Sequence, residues 1–163
     1  MEFLHFYIFF GYNNHEVIFM TNNDTVELLK ECNAGIQMGV SSIDEVLPKV
    51  KSKKLETILN DYKNKHTKLG NETNEFLKEL GEDTKEPNPI AKGMSWIKTN
   101  VKLSIDESDA TVSDLITDGC NMGVKSLNRY LNQYKAADEV SKDICKRLIK
   151  LEEELIIQLR SYL

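Results

Sequence analysis

Residues 35–42 read Gly-Ile-Gln-Met-Gly-Val-Ser-Ser, and residues 119–126 read Gly-Cys-Asn-Met-Gly-Val-Lys-Ser. Five of the eight positions are identical, and the two stretches lie 84 residues apart. Further along the chain the separation becomes 86, where Leu69 pairs with Leu155. Because both copies have apolar residues at helical spacing, the sequence predicts two repeated helical hairpins related by a pseudo-twofold axis.

Four long helices follow from the apolar residues that recur at helical spacing. The predicted helices cover about residues 24–47, 52–80, 109–134 and 138–163. Asp24 and Thr25 offer N-caps to the first helix, and Gly81 is a natural C-terminal cap for the second. The sequence therefore predicts an all-α fold, an antiparallel four-helix bundle built from two repeated hairpins.

The same pattern sets the expected domain limits. One bundle domain is expected over residues 20–163, with one hairpin at about 24–81, a linker at 82–89 and the other hairpin at about 90–163. A short extra helix at about 90–103 is expected before the third long helix. It carries Trp96, which we interpret as a packing anchor, with ligand stacking as the alternative.

The first nineteen residues differ in composition from the rest of the chain. They contain no Lys or Arg, and they lack the positive start and small-residue cleavage site of a secretory signal. We interpret residues 1–19 as a doubtful extension and expect Met20 to be the natural start, because codons for residues 16–18 can form a ribosome-binding site. A short strand or helix that packs on the bundle is the alternative.

Composition argues against several classes of partner. The net charge of −5 disfavours nucleic acid, and no apolar run approaches the roughly 20 residues of a membrane span. Cys32, Cys120 and Cys145 are odd in number and lack CxxC spacing. We expect buried reduced thiols, which suit the cytoplasm, with zinc or redox chemistry as the alternative. Lys outnumbers Arg 18 to 3, a bias typical of AT-rich bacterial genes.

The repeated glycines predict a close approach of two helices. Gly35 and Gly39 lie on one helical face, and Gly119 and Gly123 repeat that face. Glycine is unfavourable inside a helix, so its repetition indicates a packing reason. We call the two rows of glycines the glycine ridges, and we expect the first and third helices to cross closely along them. Alternatively, the glycines leave room for large side chains such as Trp96 or Phe76.

Two hairpins with a long connection between them resemble the ferritin-like four-helix bundles. The stretch from His66 to Gly81 looks like the second helix of such proteins, and the stretch from Leu148 to Leu163 looks like the fourth. The resemblance covers roughly residues 24–163. It suggests a bacterial branch of that superfamily that lacks a complete di-iron ligand set.

The resemblance implies a metal site whose ligands are mostly missing here. Active members use carboxylates from the first and third helices and a Glu-x-x-His from each of the others. Here the central polar residues of the first helix are the amides Asn33 and Gln37, and Asn121 repeats Gln37. The second helix has Lys63-x-x-His66, and the fourth helix has no His. Two irons need several anionic oxygens, so we do not expect an oxygen-activating di-iron centre.

One pair of candidate site residues remains. His66 aligns with Glu152 in the repeat, and pseudo-symmetry places both at mid-bundle, with Gln37 or Asn121 nearby. These residues predict either a weak site for a single transition-metal ion or a buried polar network that fixes helix register.

The sequence leaves three functions open. The first is a non-catalytic bundle without a cofactor, structural or partner-binding, with a degenerate metal site. The second is a metal-binding ferritin-like protein that uses His66 and Glu152. The third is a bundle that binds a ligand beside the glycine ridges. No catalytic residues or nucleotide fingerprints are apparent. The protein partner is not predicted, but a homodimer through Ile156 and Ile157 is expected.

Overall fold

The computed structural model describes residues 23–82 and 107–163, and within these two ranges the chain forms helices and no strands. The long helices are α1 (Asn23–Val46), α2 (Lys53–Glu79), α3 (Asp109–Gln133) and α4 (Glu139–Leu159). Short 3-10 turns follow α1 at Leu47–Lys49 and α4 at Arg160–Tyr162. The prediction of an all-α helical bundle is confirmed for this part of the chain.

Several predicted features lie outside the described residues. These are the extension at residues 1–19, the start at Met20, and the short helix at about 90–103 with Trp96.

Helix limits follow the capping residues. Ser52, Ser108 and Asp138 each accept a hydrogen bond from the backbone N–H three residues later, and α2, α3 and α4 begin immediately after them. Gly81 ends α2 with φ +77°, and the N–H of Glu82 donates to the carbonyl of Leu77 at 2.9 Å. This is the left-handed glycine cap that the sequence predicts.

Side chains near the starts of α1 and α3 also accept hydrogen bonds from backbone N–H groups in the turn of the other hairpin. The Asp109 carboxylate accepts from the backbone N–H of Lys51 at 2.8 Å and of Ser52 at 2.9 Å. At the other end of the bundle, Thr25 Oγ1 accepts from the N–H of Asp138 at 2.9 Å. The start of α3 therefore lies beside the α1–α2 turn, and the start of α1 lies beside the α3–α4 turn.

These contacts define the helix directions. Each hairpin is antiparallel, whereas α2 and α3 run in the same direction. Lys30 near the start of α1 pairs with Glu82 at 2.8 Å, and Lys49 beyond its end pairs with Glu107 at 2.9 Å. Glu82 and Glu107 thus lie at opposite ends of the bundle.

The core is formed by the inward faces of all four helices. α1 packs against each of the others, while α2 and α3 lie diagonally opposite. Fully buried side chains in the core include Leu28, Ile43, Leu55, Leu59, Leu77, Ile144, Leu148, Leu155 and Leu159. Arg147 of α4 and Glu72 of α2 form a two-pronged ion pair at 2.6 and 2.7 Å, which links these helices at the surface.

On α4, Ile156 is half-buried and Ile157 is 52% exposed. A homodimer through these residues stays a prediction, and sedimentation at high protein concentration tests it.

Candidate functional site

His66 is held at the centre of the bundle by its own helix. The ring lies on the inward face of α2, and the side chain is 1% exposed. Nδ1 lies 2.8 Å from the backbone carbonyl of Tyr62, one turn earlier. Because a carbonyl only accepts hydrogen bonds, Nδ1 carries a proton and donates it. This bond fixes the ring orientation and leaves Nε2 as the atom whose protonation can change.

Glu152 of α4 meets that second nitrogen. Its Oε1 lies 3.0 Å from His66 Nε2, and the Glu152 side chain is 10% exposed. Burial disfavours the charged ring and lowers the pKa of His66, but the hydrogen bond and charge of Glu152 outweigh this effect. The bond to the Tyr62 carbonyl acts in the same direction, so the pKa of His66 is raised overall. The pair that the repeat aligns is therefore in direct contact.

Gly39 and Gly123 leave the space that this pair occupies. A Cβ built on Gly39 would lie 3.1 Å from His66 Cδ2 and 3.2 Å from Nε2. A Cβ on Gly123 would lie 3.7 Å from the carboxyl carbon of Glu152. One glycine of each ridge is thus next to the polar pair. The glycine at position 39 is needed there, because a side chain would press on the imidazole.

The glycine ridges line a cavity of about 380 Å³ between α1 and α3. Gly35, Gly39, Gly119 and Gly123 are all half-buried and not enclosed. Near Gly35 a Cβ would meet only Leu148 of α4 within 4 Å. The close crossing of the first and third helices along these ridges is therefore not observed. Instead the two ridges form the walls of a cleft.

The cleft is elongated, and its polar lining includes Ser42, Ser126 and Tyr130. On α1 its lining runs from Glu31 to Ile43, which corresponds to about 18 Å of helix. His66 and Glu152 contribute to the lining at the level of Gly39. The rest of the surface is mainly apolar and includes Met38, Met122, Ile43, Ile116, Leu115, Leu127 and Leu155. Cavities of this size and character are typical of small-molecule sites.

Cys120 is the neighbour of Glu152 that the sequence analysis missed. Its pKa is raised well above the usual value by burial and by the charge and hydrogen bond of Glu152. The expectation of buried thiols is met, since Cys32, Cys120 and Cys145 are all buried and free of disulfides. The signal for Cys120 was its position one turn before Gly123 on the face that carries the repeated glycines.

The predicted amides do not line this cleft. Asn33 is buried, Gln37 is half-buried and Asn121 is exposed, and none of the three contributes to the cavity surface. Among the described residues, the hydrogen-bond partners of His66 are Tyr62 and Glu152, and the proximity of Gln37 or Asn121 stays a prediction. The pseudo-symmetric position alone could not predict that the amides lie off the cavity surface, because a small rotation of a helix turns a side chain away from the centre.

The donors present fit a metal ion only partly. His66 Nε2 and Glu152 Oε1 are 3.0 Å apart, which allows both to reach one ion. Within residues 23–82 and 107–163, however, no group of three or more His, Cys, Asp or Glu side chains is arranged to hold a metal. The pair resembles half of a site, and solvent or a ligand would have to complete it.

The chain matches no protein-family model, no curated protein and no solved structure. In the described residues, no helix has both the length and the apolar character needed to cross a bilayer.

Proposed function

We propose that this protein is a non-catalytic helical bundle that binds a small, largely apolar molecule in the cleft between α1 and α3. The observation that carries the proposal is the cavity of about 380 Å³, walled by the glycine ridges, with a buried His66–Glu152 pair facing it. An apolar surface with a few convergent polar groups is the usual form of a ligand site.

We further propose that the bundle is ferritin-like, with a degenerate metal site. Two observations support this. α2 and α3 run in the same direction, as the second and third helices of ferritin-like bundles do. In addition, Thr25 and Asp109 occupy equivalent repeat positions and accept from the equivalent N–H groups of Asp138 and Ser52. The free thiols support a reducing compartment such as the cytoplasm.

Dye binding tests the cleft. Prodan, an uncharged naphthalene dye whose emission shifts in apolar surroundings, is titrated against the wild-type protein and two variants. Gly119→Leu places a side chain in the cleft, whereas Asp118→Leu adds the same group on the exposed side of α3. We expect saturable binding that is roughly tenfold weaker in Gly119→Leu and unaltered in Asp118→Leu. Equal binding in both variants, or none in the wild type, would contradict the proposal.

A single metal ion is the second candidate. The bond from His66 Nδ1 to the Tyr62 carbonyl favours it, because metal-binding imidazoles usually donate their other N–H in this way. The protein is expressed in iron- or manganese-supplemented medium and its metal content is measured. Stoichiometric metal that is lost in His66→Ala supports this function. Metal-free protein with an unchanged structure supports the non-catalytic bundle without a metal.

A further inference from the structure

Two of the buried thiols belong to helices that run side by side. Because each hairpin is antiparallel and α2 and α3 run in the same direction, α1 and α4 are parallel, and they pack against each other. Cys32 lies on α1, Cys145 lies on α4, and both side chains are fully buried. Neither is among the described residues that line the cleft. The proposed function therefore leaves this pair of thiols without a role.

Two contacts fix the register between α1 and α4. Thr25 Oγ1 accepts a hydrogen bond from the N–H of Asp138 at 2.9 Å. Further along the two helices, a Cβ on Gly39 would lie 3.8 Å from Glu152 Oε1. The residues of both pairs are 113 positions apart in the sequence. A residue of α1 therefore lies level with the α4 residue 113 positions later.

Cys32 and Cys145 follow the same register. They are also 113 positions apart, and they lie seven residues from each of the two contacts just described. Residues that recur every seven positions on parallel packed helices keep the same orientation toward the partner helix. The two thiols thus occupy facing positions, midway between two contacts that join α1 to α4.

A hydrogen bond joins the two thiols. Cys145 Sγ lies 3.7 Å from the backbone carbonyl of Leu127 and donates to it, so its own hydrogen points away from Cys32. Cys32 is therefore the donor to Cys145 Sγ. This bond raises the pKa of Cys32 and lowers the pKa of Cys145, because it stabilises the Cys145 thiolate and is lost when Cys32 ionises. Cys145 is thus the member of the pair that ionises first.

We propose that Cys32 and Cys145 form an oxidation site, at which a peroxide converts the two thiols into a disulfide that clamps α1 to α4. A disulfide needs two cysteines at facing positions of adjacent segments, and the register of α1 and α4 supplies them. Disulfides that form in a reducing compartment are usually transient and respond to oxidants. The thiols are free in this structure, which is therefore that of the reduced protein. The inference is independent of the proposed ligand cleft.

The reaction balances with hydrogen peroxide as the oxidant. The Cys145 thiolate attacks one peroxide oxygen, the O–O bond breaks, and hydroxide leaves as an S–O bond forms. Cys32 Sγ then attacks the sulfur of this sulfenic acid, so that the S–S bond forms and the S–O bond breaks. The leaving hydroxide takes up the Cys32 proton as water. Each sulfur loses one electron, and the peroxide gains both. Hydrogen peroxide is little larger than water, so local opening of the bundle admits it to the buried pair.

Mild peroxide treatment of the folded full chain tests the proposal. We expect the loss of two of the three thiols and of two hydrogen atoms by mass, at a rate that does not depend on protein concentration. Peptide mapping should place the bridge between Cys32 and Cys145 and leave Cys120 as a free thiol. The melting temperature is expected to rise by about 10 °C, because the bridge closes a long loop of the unfolded chain, and dithiothreitol should reverse this rise.

Two alanine variants separate the pair from the third cysteine. Cys120→Ala keeps both members of the pair, so it should form the bridge and show the same rise in melting temperature. Cys32→Ala removes the thiol that attacks the Cys145 sulfenic acid. We therefore expect no bridge and no rise in that variant, and dimedone should label Cys145.

The proposal fails if the folded wild type keeps all its thiols while the urea-unfolded chain loses them under the same treatment. It also fails if the bridge involves Cys120 or joins two chains. A bridge between Cys32 and Cys145 that leaves the melting temperature unchanged or lowers it would show that the disulfide does not clamp the helices.

Discussion

Gly39 and Gly123 are equivalent in the repeat, yet they have different surroundings. The position of a Cβ on Gly39 is 3.1 Å from the His66 ring, which is held on both sides by hydrogen bonds. The corresponding position on Gly123 has ordinary contacts of 3.7 Å and longer with Glu152. Two glycines with the same sequence context therefore have different roles. The first clears room for a rigid ring, and the second lies beside a carboxylate with space to spare.

Alanine substitutions at these two positions should have opposite effects on the free energy of unfolding. Gly123→Ala is expected to raise the free energy of unfolding by about 0.5–1 kcal/mol, because alanine restricts the unfolded chain and favours the helix. Gly39→Ala is expected to lower it by about 1 kcal/mol, since the imidazole must shift and strain its two hydrogen bonds. Urea denaturation measures both. Stabilisation of similar size in the two variants would show that the His66 imidazole can shift away from the added methyl group at little cost in free energy.

The titration of His66 follows from its two neighbours. With Glu152 in place the pKa lies above the ordinary value of about 6.5. In Glu152→Gln the charge is gone and burial remains, so the pKa should fall below that value. NMR titration of the ring proton gives both values, and Glu153→Gln serves as the charge-matched control. An unchanged pKa in Glu152→Gln would mean that the carboxylate does not act on the ring.

At the level of the helices, side chains near the helix starts either cap their own helix or bind the turn of the other hairpin. Ser52, Ser108 and Asp138 cap their own helices. Thr25 and Asp109 instead accept hydrogen bonds from the turn of the opposite hairpin. The first kind is predictable from local sequence, because the partners are three residues apart. The second kind joins residues that are distant in sequence, and it sets how the hairpins are placed against each other.

Removal of the Asp109 carboxylate should destabilise the joint between the hairpins. It leaves the backbone N–H groups of Lys51 and Ser52 without this acceptor. We expect Asp109→Ala to lower the free energy of unfolding by about 1–2 kcal/mol. Asp118→Ala, on an exposed position of α3, should change it by no more than about 0.5 kcal/mol. Thermal or urea denaturation compares them, and equal effects would argue against a role for the cross-hairpin bonds.

At the scale of the whole molecule, the buried pair links stability to pH. Folding raises the pKa of His66, so the folded state binds the proton more tightly than the unfolded chain does. The stabilisation is therefore fully present below about pH 6.5, the unfolded pKa, and is lost as the pH rises through the folded pKa.

The difference in unfolding free energy between the wild type and Glu152→Gln should thus shrink as the pH is raised. Its change is about 1.4 kcal/mol for each pH unit that separates the two proteins' His66 pKa values. Urea denaturation from about pH 5.5 to about pH 9 measures the difference, and contributions from other groups cancel in it. A difference that is constant across this range would show that the two proteins have the same His66 pKa.

The four helices, the Gly81 cap and the contact between His66 and Glu152 could be predicted from the sequence. The N-caps predicted for the first helix are wrong, because Asp24 and Thr25 lie inside α1 and accept hydrogen bonds from Ala136 and Asp138 instead. Helix formation depends on apolar spacing and on capping residues within a few positions, and both can be read locally. The alignment of the two copies brought together residues 86 positions apart, and they prove to be 3.0 Å apart in space.

What lies between α1 and α3 depends on long-range packing and could not be predicted from local sequence. Repeated glycines are equally compatible with a tight helix crossing and with an open cleft, because both need a surface without side chains. In the folded protein α1 and α3 pack against each other, yet the repeated glycines line a cavity. The His66 imidazole and the Glu152 carboxylate lie beside Gly39 and Gly123, and their positions follow from the packing of all four helices.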